Sequence, residues 1–131
     1  MWSLDEKGNS WATAGYAGAI GSGQTTCGLL IGSSIAVGFR YGQDKEGIPT
    51  EHEADRTKAI QAVGKLYDDF LKEFGSTQCQ TLTGVDFSKP EDRERYRNNK
   101  IGQDKCEVFF SFVMNRFIEL TKKRKTSSSA S

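Results

Sequence analysis

Apolar and polar positions along this chain alternate with the period of a helix, not of a strand. Ala59, Ile60, Val63, Leu66, Tyr67, Phe70 and Phe74 recur at steps of three and four, which puts their side chains on one helical face. Thr50-Glu51-His52-Glu53 reads as a capping box opening this helix, with Thr50 as N-cap and Glu53 reaching back, and Gly75 ends it. A second stripe, Phe109, Phe112, Val113, Arg116, Phe117 and Leu120, predicts a last helix whose apolar side is widened by Phe110 and Met114. Asp104 is its expected N-cap, and Lys122, Lys123, Arg124 and Lys125 suit the negative end of its dipole. Between the two stripes, Ser88-Lys89-Pro90-Glu91 is another capping box with proline tolerated in the first turn. The helix it opens, to about Asn98, is highly charged and is expected to be exposed.

The first third has a different texture. Ten of the 14 glycines lie between Gly8 and Gly47. Gly15 to Gly23 reads as a loop or distorted helix of small residues. It leads into a predicted helix from Thr25 to Tyr41, on which Gly28, Gly32 and Ala36 recur every four residues as a smooth face. Leu29, Leu30, Ile31, Ile35, Val37 and Phe39 cover its other sides, so burial nearly all round is expected, with Gly42 at the C-terminal cap. Trp2 and Trp11 are the expected anchors of the N-terminal segment. No internal repeat and no convincing strand is visible. The pattern therefore predicts an all-α, single-domain bundle of about four or five helices over residues 1–125, with a disordered tail over 126–131. The Gly-rich apolar helix should lie centrally against the helices near 51–74 and 105–122, crossing them closely at Gly28 and Gly32.

Composition narrows the classes of function. A chain of 131 residues with 36% apolar and 27% charged residues fits one globular domain with one core. A formal net charge of +1 supplies no strong field toward nucleic acid or anionic lipid. The most apolar stretch, Cys27 to Phe39, falls short of the roughly 20 residues that span a bilayer, so no membrane span is expected. Met1-Trp2-Ser3-Leu4-Asp5-Glu6 lacks the basic start and apolar run of a secretory signal, which points to the cytoplasm.

Three cysteines are the best candidates for chemistry. The number is odd, so an all-disulfide framework would leave one thiol over. Cys27 and Cys106 are each expected in the first turn of a helix, where free N–H groups and the positive dipole end favour the thiolate, the nucleophilic and metal-binding form. Cys79 falls in the irregular piece between the two amphipathic stripes. Against this stands the plainer reading that Cys27 is a small core hydrophobe. His52, the one histidine, is expected at the surface, and a Cys3His zinc site would lack finger-like spacing. Gly15, Gly18, Gly21 and Gly23 lack the G-x-G-x-x-G order and the G-K-[ST] of a phosphate loop, so no nucleotide is expected. No Cys-x-x-Cys-His is present, so no haem is expected. Asp68-Asp69 and Glu91-Asp92 lie on polar faces with nothing to prepare them for acid–base work.

The run from Gly18 through Cys27-Gly28-Leu29-Leu30-Ile31-Gly32 resembles the redox-active family named for its cysteine pattern, C_GCAxxG_C_C. Gly38-Phe39-Arg40-Tyr41-Gly42 matches the family's helix end, Phe74-Gly75-Ser76-Thr77-Gln78-Cys79 its next motif, and Cys106 its last cysteine. The likeness spans roughly residues 15 to 120. Related domains occur in split-Soret cytochromes c, where an iron–sulfur site has been suggested. The resemblance implies redox or metal use of Cys27, Cys79 and Cys106. This chain departs from the family in having no cysteine before Cys27, and in carrying Leu29 and Ser33 where alanines are usual. A four-thiolate site would therefore be one ligand short. Three readings stay open: an iron–sulfur cluster or other metal on the three cysteines, serving electron transfer with a partner protein; thiol–disulfide chemistry, with Cys79 and Cys106 as the pair and Cys27 as the attacking thiol; and a non-catalytic interaction module, with a homo-oligomer among its forms.

Overall fold

A computed structural model describes residues 14, 20–44 and 46–129, with the side chains at 121 and 123–129 left out of the description. Trp2 and Trp11 lie outside the described residues, as does most of the Gly15–Gly23 segment. The described chain is helical throughout: α1 (Gly28–Tyr41), α2 (Glu53–Phe74), α3 (Cys79–Thr83), α4 (Pro90–Asn98), a π-helical turn (Gly102–Cys106) and α5 (Glu107–Ser129). The all-α expectation holds. Among the described residues, extended pairing is confined to two isolated antiparallel bridges, Thr26 with Gln78 and Gln43 with Pro49. Among the described residues, no helix is long and apolar enough to cross a membrane.

The long helix α2 ends as its sequence predicts. Gly75 takes the left-handed conformation at φ 78° and donates its N–H to the Leu71 carbonyl at 2.9 Å. Its start differs from expectation. His52 is the N-cap, and the Thr50 hydroxyl donates to Asp55 Oδ2 at 2.7 Å rather than capping the helix, so the expected box with Glu53 does not form. Helix α1 begins at Gly28, three residues later than predicted, because Thr26 is held extended by its bridge to Gln78. The last helix begins earlier than predicted. Lys100 adopts a left-handed φ of 53°, Ile101 is already helical, and the path runs through the π turn into α5. Asp104 is thus inside this turn instead of capping it, and its N–H donates to the Lys100 carbonyl at 3.0 Å. Helix continues to Ser129, through part of the expected tail.

Helices α1, α2 and α5 pack against one another, and α3 packs against the π turn. The core between them joins Leu30, Leu66, Phe70, Leu82, Phe109 and Val113, with Cys27 among them. Phe70 is 0% exposed and is ringed by Phe74, Phe109 and Phe112 at centroid distances of 4.7, 5.7 and 6.0 Å, in the tilted and edge-to-face arrangements that aromatic quadrupoles favour. Arg116 lies with its guanidinium 5.1 Å from the Phe112 ring centroid and its Nε 3.7 Å from Asp69 Oδ2, which explains a cation on the apolar side of α5.

The helical stripes are wider in sequence than the core they fill. Ile60 is 65% exposed and Phe110 is 52% exposed, and Tyr67 and Met114 are exposed too. Helix α1 is not buried all round: Leu30 and Val37 are its buried residues, and Phe39 is exposed. A Cβ at Gly28 would stand 3.0 Å from the Ile20 side chain, yet nothing among the described residues lies within 4 Å of where one would sit at Gly32. The close contact at Gly28 is with Ile20 and not with α2 or α5, so the expected close crossing of those helices is made at neither glycine.

Candidate functional site

The Thr26–Gln78 bridge brings the first two cysteines together. Its two hydrogen bonds are made by the cysteines themselves: the Cys27 N–H donates to the Thr77 carbonyl at 2.7 Å, and the Cys79 N–H to the Thr25 carbonyl at 3.0 Å. Cys27 and Cys79 thus flank the two ends of one bridge, each held by its own backbone N–H. Two buried threonines fix the local backbone. Thr77 Oγ1 hydrogen-bonds the Tyr67 hydroxyl at 2.8 Å, and Thr83 Oγ1 donates to the Cys79 carbonyl at 2.8 Å. The Gln80 N–H adds a bond to the Gly23 carbonyl at 3.0 Å, tying α3 to the segment before α1.

Cys106 closes the π turn that packs on α3, and Lys105 Nζ beside it donates to the Leu82 carbonyl at 3.3 Å. All three cysteines are free thiols; Cys27 is buried and the other two are half-buried. They are close enough to act on one another electrostatically. A negative charge on Cys106 raises the proton affinity of Cys27, and charges on Cys27 and Cys106 both raise that of Cys79. Cysteines separated by 52 and then 27 positions in sequence are thus drawn together by the Thr26–Gln78 bridge and by the packing of α3 on the π turn.

The electrostatics differ from the sequence expectation. Cys27 is the N-cap of α1, and the N–H groups of Leu29 and Leu30 point at its sulfur and favour the thiolate, although neither forms a short capping hydrogen bond. Burial outweighs them and pushes the Cys27 thiol up. Burial likewise pushes the Cys79 thiol up, ahead of the neighbouring thiolate charges. Cys106 sits at the end of the π turn, where its helical neighbours already satisfy the backbone, so the first-turn argument does not apply to it.

A fourth side chain, one with no motif around it in the sequence, joins the cysteines. Tyr96, on the otherwise charged helix α4, donates its phenolic O–H to Cys106 Sγ at 3.4 Å. Its ring packs edge-on against Phe87, with centroids 5.0 Å apart. Gly102, one turn before Cys106, lies directly beneath the ring; a Cβ there would meet the tyrosine oxygen at 2.5 Å and Cζ at 2.9 Å. The bond to Cys106, followed by burial and the charges of Cys106 and Cys79, lifts the Tyr96 hydroxyl to about 12, so it remains a donor at neutral pH. Helix α4 contributes no buried residue and is pinned at its start, where Asp92 Oδ2 accepts the Asp86 N–H at 2.8 Å and Arg95 Nη2 reaches the Gly84 carbonyl at 2.6 Å. A charge-rich stretch with one aromatic gives no periodic signal, so Tyr96 was not legible from sequence.

His52 takes no part. It lies at the N-terminal end of α2, in a groove of about 550 Å³ shared with Gly38 and Gly42 at the C-terminal end of α1, whereas Cys27 caps the other end of that helix. The Cys3His alternative is therefore not assembled.

The model of the family described as "Putative redox-active protein (C_GCAxxG_C_C)" matches residues 2–120. The chain belongs to this family. No curated protein and no solved structure matches it. As a member of the C_GCAxxG_C_C family it carries the redox-active description at the level of the family, without an assigned mechanism. A cluster or metal ion can be tested against the residues present. The site offers three thiols, one fewer than the four thiolates usual for an iron–sulfur cluster. Among the described residues, no three His, Cys, Asp or Glu side chains are grouped so as to hold a metal ion. The donor set as arranged does not fit such a group.

Proposed function

We propose that this C_GCAxxG_C_C protein is a thiol–disulfide redox protein whose working pair is Cys79 and Cys106, with Cys27 as a buried third thiol. The observation that carries the reading is the convergence of three free thiols, two of them half-buried on the packed pair of α3 and the π turn. Burial makes Cys27 the poorest of the three for reaching a partner, so the attacking role passes from Cys27 to Cys106. The Cys106 thiolate attacks one sulfur of a partner disulfide. The partner S–S bond breaks, a mixed disulfide forms and one partner thiolate leaves. The Cys79 thiolate then attacks the Cys106 sulfur, the Cys79–Cys106 bond forms and the second partner thiolate leaves. Two electrons pass to the partner, and the two protons lost from Cys79 and Cys106 balance those taken up by the partner thiolates.

The test treats the anaerobically purified chain with oxidised glutathione and follows intact mass, peptide cross-links and metal content. Loss of two hydrogens with a Cys79–Cys106 cross-link is expected. Bound iron with thiols that stay unreactive until the metal is removed would replace this reading with cluster chemistry. Three unreactive thiols without metal would leave the cysteines structural.

A further inference from the structure

Helix α4 is hard to explain by packing, since none of its nine residues is buried. What it delivers to the rest of the molecule is Tyr96. The phenol is held by three independent features: the Phe87 edge at 5.0 Å, the absence of a side chain at Gly102 beneath it, and the hydrogen bond to Cys106 Sγ at 3.4 Å. Past the left-handed turn at Lys100, the π turn brings Gly102 and Cys106 to the Tyr96 side chain. Gly102 and Cys106 then stand one turn apart on the same face, the one making room for the ring and the other meeting its hydroxyl.

We propose that Tyr96 is a catalytic residue of this thiol site, donating a hydrogen bond to the Cys106 sulfur whenever that sulfur carries negative charge. The inference rests on the thiol–disulfide reading above. In the attacking direction the phenol stabilises the Cys106 thiolate before its sulfur bonds to the partner. In the reverse direction it stabilises the same thiolate as it leaves. Tyr96 keeps its proton in both directions, so no atom or electron is added to the exchange. Besides Cys106, the titrating group that acts on the phenol is Cys79, from the packed helix α3.

The test is the rate at which Cys106 is alkylated by iodoacetamide in the reduced full chain, read from its own peptide at pH 7 and at pH 10. Tyr96→Phe should slow Cys106 about threefold at pH 7: losing one hydrogen bond to a charged group costs about tenfold in thiolate, and the greater nucleophilicity of the more basic thiolate recovers part of it. At pH 10 the variant should no longer react more slowly than the parent, because a thiolate that has lost the hydrogen bond is the stronger nucleophile. Gly102→Ala keeps the phenol but forces it off the sulfur, and should act in the same direction. It guards against misfolding of the first variant. An unchanged rate at pH 7 in both variants, or equal slowing at both pH values, would overturn the role of Tyr96. Neither outcome touches the Cys79–Cys106 cross-link, so failure of this inference and failure of the exchange reading are separable.

Discussion

Replacing Cys27 by serine separates packing from chemistry at this site. Cys27 is 8% exposed within the apolar core, so exchanging sulfur for a hydroxyl removes buried apolar surface, a loss of roughly 1 kcal/mol. The same residue is the N-cap of α1, with the N–H groups of Leu29 and Leu30 turned toward its side chain. The Leu30 N–H already donates to the Cys27 carbonyl at 3.0 Å, so the donor left for a serine N-cap to satisfy is the Leu29 N–H, a gain of roughly 1 kcal/mol. The two effects nearly cancel. Cys27→Ser should therefore unfold in urea with a free energy within about 1 kcal/mol of the parent. Cys27→Ala, which loses the sulfur and gains no cap, should fall measurably below it. Oxidation of Cys27→Ser should still remove two hydrogens, because the Cys79–Cys106 pair is intact. Urea unfolding followed by circular dichroism gives the first quantity, and intact mass gives the second. A loss above about 3 kcal/mol for the serine variant would refute the capping argument. A folded variant that no longer forms the cross-link would refute the assignment of Cys27 as the third thiol.

Other perturbations test other parts of the structure. Phe70→Ala removes the centre of the aromatic cluster and should cost about 3–5 kcal/mol in urea unfolding, whereas Ile60→Ala, at an exposed position of the same helix, should cost well under 1 kcal/mol. Burial raises the folded-state proton affinity of Cys27 and Cys79, so the folded protein holds these protons to higher pH than the unfolded chain does. The stability they contribute is fully present below the ordinary cysteine value, near pH 9, and is lost as pH rises through the folded values. Urea midpoints for the reduced protein should fall above pH 9, and less steeply in Cys27→Ser.

The period of the apolar positions was enough to reveal α2, the body of α5 and the all-α class, since burial of one face imposes that period whatever the partner. Gly75 was readable for a similar reason: the helix needs a left-handed residue there, and glycine supplies it without strain. Helix starts were less legible. Thr50 and Asp104 are good capping types, but Asp55 takes the Thr50 hydroxyl and the Lys100 turn starts the last helix a turn earlier. The cysteines were visible as residue types, and their order matched the family pattern. The meeting of Cys27 and Cys79 depends on a single bridge between Thr26 and Gln78, a pairing of residues 52 apart, and that of Cys79 and Cys106 on the packing of α3 against the π turn; neither leaves a periodic trace. The balance of forces on Cys27 was also hidden, because the sequence displays the helix start but not the core that closes over it.

An atomic-resolution crystal structure of the oxidised protein, with the sulfurs located by anomalous scattering, probes the convergence of the thiols most directly. The account predicts Cys79 and Cys106 joined, their Cα atoms about 4.4–6.8 Å apart, with the Cys27 sulfur reduced and buried beside them. Sulfurs found unbridged on separate faces of the helices, each packed among unrelated side chains, would contradict it.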